Sequence, residues 1–276
     1  MNLEEIETFL KIVECNNIMQ ASELLYISQS TASTRMQCLE EELGYPLIIR
    51  QKGHRNITLT DHGQTFLPIA RGLMGLWKDA LDIEKNGHKM EIIIGATDSV
   101  NNFILQPFYH EIIENYPEYY LNIQTHHSHE IYRLVDQQKI DLGFVSNLYP
   151  YSNIDIQELY HEELVIIADQ TFDLDHYYKY DEIYTHYSDD YEIYHHTYLK
   201  DANLLLTAGT ISMCLRLLNP QRYTIVPLSI ARVYILNHTE YKIFHLKDPF
   251  IRRGYMIQNK YGRKDLSKII DLIKIK

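Results

Sequence analysis

Gln29, Ser30, Ser33, Thr34, Arg35 and Gln37 crowd one short stretch, and all carry groups that donate or accept hydrogen bonds, the chemistry that reads base edges in a DNA major groove. Arg50, Lys52, His54 and Arg55 follow as a compact cationic run suited to phosphates, which fix register and confer salt dependence without carrying sequence information. A second polar set recurs later: Thr97, Asp98 and Ser99, then His127 and Ser128, then Ser146 and Asn147, with Thr207 and Thr210 farther on. Hydroxyls beside helix N-termini suit a small polar or anionic ligand. Enzyme chemistry is not indicated, because the chain has no glycine-rich phosphate loop, no nucleophile elbow and no HExxH. His126, His127, His129, His195 and His196 lack ligand spacing, and Cys15, Cys38 and Cys214 form no CxxC. No metal, cofactor or catalytic residue is expected.

The first polar set needs helices to present it. Ile6, Phe9, Leu10 and Val13 fall on one face of a first helix, and a short second helix buries Ala21, Leu24 and Leu25. After a turn at Tyr26 and Ile27, Ser28 is placed to cap a third helix whose buried face is Ala32, Met36, Leu39 and Leu43. Gly44 ends it. Two strand-like runs, Leu47 to Ile49 and Asn56 to Leu59, bracket the cationic residues as a basic wing. Thr60 is placed to cap a further helix, along which Phe66, Ile69, Leu73, Leu76, Ala80 and Ile83 recur at heptad spacing with Trp77 and Leu81 alongside. Phe66, Ile69, Leu73, Leu76, Trp77 and Ala80 are the expected dimer contacts, with Pro68 kinking the helix or marking its start and Asn86-Gly87 ending it.

From Met90 strands and helices alternate. Glu91 to Gly95, Tyr120 to Thr125 and Ile140 to Val145 read as strands, with helices over Asn102 to Asn115 and Ser128 to Gln138 between them. That order implies a parallel sheet with right-handed crossovers, whose ligands bind at the carboxyl ends of the strands, where the second polar set stands. The chain then crosses through Glu158 to Asp169 into a second lobe and returns near Tyr241 to His245. A strand at Arg252 to Asn259 and a helix over Asp265 to Ile275 close the first lobe.

A net charge of −11 on 276 residues looks wrong for a DNA binder. Its distribution resolves this, because residues 151–200 alone hold 12 Asp or Glu against 2 Lys or Arg. Residues 1–60 still carry 8 acidic against 5 basic side chains, so affinity must come from the run at Arg50 to Arg55 and from dimerisation. No charged-then-apolar leader and no membrane-spanning apolar run occurs, and three unpatterned cysteines fit a reduced bacterial cytoplasm.

The N-terminal stretch resembles the LysR-type transcriptional regulators. Ala21-Ser22-Glu23, Leu25, Ser28-Gln29, Ser33, Leu39-Glu40, Leu43-Gly44, Leu47, Arg50 and Leu59-Thr60 with Gly63 match that family's pattern at its spacing. Ser22, Ser30, Thr34 and Ile48-Ile49 depart from it. The resemblance implies a winged helix-turn-helix over residues 1–60, a dimerising linker helix over 61–87, and a two-lobed periplasmic-binding-protein-like α/β effector domain over 88–276, with lobe one at about 88–160 and 243–276 and lobe two at about 161–242. It further implies a transcriptional regulator that binds double-stranded promoter DNA and a small polar or anionic metabolite. Such a regulator forms dimers that pair into tetramers, and RNA polymerase is allowed as a further partner. Two alternatives stay open: a thiol-based redox sensor of the same fold, and a stand-alone small-molecule binding protein without regulatory DNA binding.

Overall fold

The computed structural model describes residues 1–50, 56–82, 89–263 and 265–273. Helices α1 (Leu3–Cys15), α2 (Ile18–Leu24) and α3 (Gln29–Leu43) open the chain, each started by a side-chain cap that satisfies otherwise orphaned N–H groups. Asn2 forms a capping box with Glu5, Asn17 accepts the N–H groups of Met19 and Gln20, and Ser28 accepts that of Thr31 at 3.0 Å. Gly44 stops α3 at a φ of 81°, in the left-handed region where a side chain would be strained. Ile6, Phe9, Ile12, Ala21, Met36 and Leu39 form the common core. Leu24, expected inside, is 55% exposed, because α2 ends at that residue and turns Ala21 and Ser22 inward instead.

Strand β1 (Ile48–Arg50) pairs antiparallel with β2 (Ile57–Leu59). Glu40 ties the end of α3 to this hairpin, its Oε1 accepting the N–H groups of Leu47 and Ile48 at 2.7 and 3.1 Å. Helix α4 (Asp61–Asp82) then starts on Thr60, whose hydroxyl accepts the Gly63 N–H at 2.9 Å. A Cβ on Gly63 would lie 2.0 Å from the Leu47 carbonyl oxygen, so only glycine lets α4 approach the hairpin this closely. Gly63→Ala is therefore expected to cost about 1–3 kcal/mol in urea unfolding through overpacking; unchanged stability would mean that the approach is not tight. Pro68 neither starts nor ends the helix but lies within it, and its carbonyl accepts the Gln138 side-chain amide at 2.9 Å.

Strand β3 (Met90–Ala96) leads into a π-helical turn at Val100–Ile104 and then α5 (Gln106–Asn115), β4 (Tyr119–Thr125), α6 (Ser128–Asp136) and β5 (Leu142–Val145). The strands run parallel in the order β4-β3-β5, as the alternation implied. The single helix expected over Asn102 to Asn115 is divided at Leu105, because Pro107 lacks an N–H and favours the first turn of a new helix.

The second lobe is entered along β6 (Ile154–Asp169). It contains β7 (Asp181–Tyr184), α7 (Asp189–Tyr198), β8 (Asn203–Thr207), α8 (Ile211–Arg216), β9 (Arg222–Pro227), α9 (Leu228–Asn237) and β10 (Tyr241–Phe244). Strand β11 (Ile251–Asn259) returns antiparallel to the first half of β6 and also pairs with β5, and α10 (Ser267–Ile270) covers part of the closing helix expected over Asp265 to Ile275. The second half of β6 belongs to the other sheet, pairing with β9 and β10. Tyr241 to Phe244 is thus a strand of lobe two paired with Asp169 to Ile166, and the return crossing comes after it, later than expected.

Candidate functional site

Two surfaces gather the polar residues singled out in the sequence. On α3, Gln29, Ser30, Thr34 and Gln37 are exposed and Ser33 is half-buried. Ser28 Oγ lies 2.7 Å from Ser30 Oγ and 2.8 Å from Thr31 Oγ1, and Gln37 donates to Glu41 at 2.7 Å. Arg35 does not join this face as expected. Its guanidinium pairs with Glu4 on α1, so it clamps two helices together instead of presenting itself outward. Lys52, His54 and Arg55 and the side chain of Arg50 lie outside the described residues.

The second surface lies where the lobes meet. Thr97–Ser99 follow β3 and Ser146-Asn147 follow β5, at the carboxyl ends of parallel strands. Arg252, from the crossing strand β11, reaches both loops: Nη2 donates to Ser99 Oγ at 2.9 Å, and Nε and Nη2 donate to Ser146 Oγ at 3.1 and 2.7 Å. Its guanidinium carbon stands 5.8 Å from the centre of the Tyr187 ring. Only 5% of Arg252 is exposed, and this buried cation donates to neutral hydroxyls while the Glu162 carboxylate is its register partner on β6.

Asp98 would repel an anionic ligand if it faced the cleft unpaired. It is engaged instead, Oδ1 accepting from Asn102 at 2.8 Å and Oδ2 from the Ser212 hydroxyl of lobe two at 2.9 Å. Asn147 makes a second bridge between the lobes, donating to the Tyr187 carbonyl at 3.1 Å. Ser128 accepts the Ser146 N–H at 3.4 Å, and the Thr97 hydroxyl is buried without a partner among the described residues. Three expected members do not join. His127 and Thr207 are exposed, and the Thr210 hydroxyl is turned to its own helix, accepting the Met213 N–H at 3.3 Å as the cap of α8. Arg252, Ser212 and Tyr187 take their place and were not singled out in the sequence.

Tyr160 and Glu162 on β6 share the cleft face with Arg252 and Gly254, their register partners on β11. A Cβ on Gly254 would meet the Tyr160 ring at 2.2 Å, so glycine is what makes room for that ring. Burial pushes the Tyr160 phenol up to about 12, which keeps its proton available for donation at neutral pH. A cavity of about 830 Å³ lies elsewhere, between α1, α4 and lobe one. It is a domain seam, because Arg71 and Gln138 on its walls are already committed, Arg71 to the Asp136 carboxylate at 3.0 Å and Gln138 to the Pro68 carbonyl.

Along α4 the expected dimer stripe divides. Phe66 is buried against Phe9 at 5.4 Å between ring centres and Leu73 packs onto the same core, so both serve their own chain. Ile69, Leu76, Trp77 and Ala80 are exposed.

A model of the lysR family of bacterial regulatory helix-turn-helix proteins matches residues 3–64, and a model of the LysR substrate binding domain matches residues 85–177. The chain belongs to the LysR-type transcriptional regulator family. This LysR-type chain is 28% identical over 172 residues to a probable RuBisCO transcriptional regulator of Cyanidioschyzon merolae, and 27% identical over 171 residues to the regulator CysL of Bacillus subtilis. Those stretches cover 60% and 61% of the chain and 56% of each relative, so the LysR-type chain spans little more than half of the proteins it matches. Among solved structures, full-length LysG of Corynebacterium glutamicum with bound arginine superposes at a TM-score of 0.64 with 16% identity, covering 99% of this chain and 96% of that one. A full-length Pseudomonas aeruginosa OxyR variant gives 0.60 with 14% identity, covering 100% and 95%. Both show that the overall fold of the chain is shared with these proteins.

Proposed function

We propose that this protein is a sequence-specific, DNA-binding transcriptional regulator controlled by a small polar or anionic effector held between its lobes. The observation that carries the reading is the exposed row Gln29, Ser30, Thr34 and Gln37 on a helix fixed at both ends, by Ser28 at its start and by Gly44 and Glu40 at its wing end. Ser33 borders that row, and the cationic residues of the run 50–55 are read as phosphate contacts from their chemistry. The division at residues 60 and 88, dimerisation through α4 and pairing of dimers into tetramers belong to the same reading, as does recruitment of RNA polymerase. The relatives' regulator names and the arginine bound by LysG support it by analogy. A thiol switch finds less support, because burial pushes the Cys214 thiol up and so disfavours its reactive form.

Fluorescence anisotropy with promoter fragments from the protein's own locus tests the reading. Thr34→Ala and Gln29→Ala are expected to erode discrimination between specific and unrelated duplexes by about 1–3 kcal/mol each. Lys52→Ala is expected to weaken all duplexes alike and to reduce the salt slope by about one unit. Equal affinity of the parent chain for every duplex would remove sequence-specific regulation from consideration.

A further inference from the structure

Seven buried side-chain polar atoms lack a hydrogen-bond partner among the described residues, and five of them gather where β6 and β11 cross between the lobes: Thr97 Oγ1, Tyr160 OH, Glu162 Oε1, Ser229 Oγ and Arg252 Nη1. Arg252 and Glu162 are register partners, and the other three stand on segments that adjoin them. Thr97 lies two residues from Ser99, which Arg252 holds, and Tyr160 shares the strand face of Glu162. Ser229 donates its N–H to Glu162 Oε2 at 2.8 Å, at the start of α9. Unpartnered polar atoms are rare in folded interiors, and a cluster of them marks a place where another molecule completes the bonding.

The cluster has a polarity. Arg252 Nη1 can only donate, Glu162 Oε1 as a carboxylate can only accept, and the three hydroxyls can do either. Arg252 and Glu162 are direct register partners, so both project from one face of neighbouring strands, yet each spends its other atoms elsewhere: Arg252 on Ser99 and Ser146, Glu162 on Ser229. A simple anion bound to Arg252 would lie beside the Glu162 carboxylate and be repelled, and a simple cation bound to Glu162 would be repelled by Arg252. A molecule bearing both charges a few bonds apart satisfies both at once. We propose that the ligand of this cleft is a small zwitterion of the amino-acid type, its carboxylate on Arg252 and its ammonium on Glu162.

The proposal rests on the reading of the cleft as an effector site and narrows its ligand from polar or anionic to zwitterionic. Reaching the cluster parts the lobes, so the Ser212–Asp98 and Asn147–Tyr187 hydrogen bonds are the contacts that yield as ligand enters.

Thermal shift on the full chain with each standard L-amino acid, followed by calorimetric titration of the one that acts, tests the proposal. For that amino acid, the matching acid without the amine and the matching amine without the carboxylate are titrated in parallel. The parent protein is expected to bind the amino acid roughly ten- to a hundred-fold more tightly than either fragment. Arg252→Gln should abolish binding, and Glu162→Gln should weaken the amino acid by a similar factor while improving the amine-free acid. Each variant's unliganded melting temperature serves as its own reference, and the fragment comparison on the parent stands even if a variant fails to fold. An amine-free acid that binds as well as the amino acid, a Glu162→Gln protein of undiminished affinity, or no response to any amino acid would each overturn the zwitterion. The effector-cleft reading fails on a different result: a ligand, of whatever class, whose binding is indifferent to Arg252→Gln.

Discussion

Replacing His195 with Phe is expected to destabilise the protein by about 3–5 kcal/mol, because it leaves a buried carboxylate without its principal donor. His195 Nε2 lies 2.9 Å from both oxygens of Glu182, and Tyr223 donates its phenol to the same carboxylate at 3.0 Å. All three side chains are sealed inside lobe two, with Glu182 and Tyr223 wholly inaccessible. The Tyr184 and Tyr191 rings pack against the imidazole at 5.0 and 6.0 Å between ring centres, and His195 is only 3% exposed. The cost should be strongly coupled. In a Glu182→Gln background the neutral amide no longer demands a charged or strongly donating partner, and His195→Phe should then cost at least about 1.5 kcal/mol less. Urea unfolding of the four proteins in this cycle measures the coupling. Additive losses would show that the imidazole contributes only by filling space.

This triad also shows where the sequence stops speaking. The stretch 151–200 reads as a hydrated acidic surface with aromatic core contacts, and its charge excess is visible on inspection. That the Glu182 carboxylate is sealed in the core of lobe two depends on β7 being sandwiched between β8 and β9, and only the sheet order reveals it. The tyrosines in turn build the interior of lobe two, where Tyr191 and Tyr223 pack with Phe172 and Ile166. In the N-terminal domain, by contrast, caps and periodicity are local, so Ser28, Gly44, Thr60 and the buried stripe of α3 can be read directly from residue types and spacing. The exposure of Leu24 is not legible in this way, because which face a two-turn helix buries is decided by tertiary packing.

The cleft divides in the same way. Thr97, Ser99, Ser146 and Asn147 stand at the ends of parallel strands, and the alternation of strands and helices locates those ends. Glu162 stands in the middle of β6 and Arg252 near the start of β11, on two segments far apart in sequence that become neighbours only because β11 returns antiparallel to β6. One local signal was available: in Ile251-Arg252-Arg253-Gly254-Tyr255 the arginines alternate, so one of them must point toward the sheet's covered face. Arg252 does so, whereas Arg253 is exposed and pairs with Glu158 at 3.0 Å.

Introducing Asp at Leu76 is expected to separate the protein into folded monomers, whereas Asp at Phe66 should unfold the N-terminal domain. The two positions belong to the same heptad stripe, but Phe66 is 4% exposed and Leu76 is 62% exposed within the single chain. Trp77 and Leu81 extend the uncovered patch around Leu76, and an apolar face of this kind on one helix is what a partner copy would cover. A charge at Leu76 stays hydrated in the monomer and costs nothing there. In a dimer built on this face it would be buried without a partner, at a cost of several kcal/mol. Sedimentation equilibrium should therefore show a mass reduced to half or less with an unchanged circular dichroism spectrum, and affinity for a two-half-site promoter should fall by roughly 10²–10⁴ as the second DNA-binding domain is lost from the complex. A Leu76→Asp protein that sediments with the parent would move the dimer contact off α4 and return these exposed side chains to the solvent.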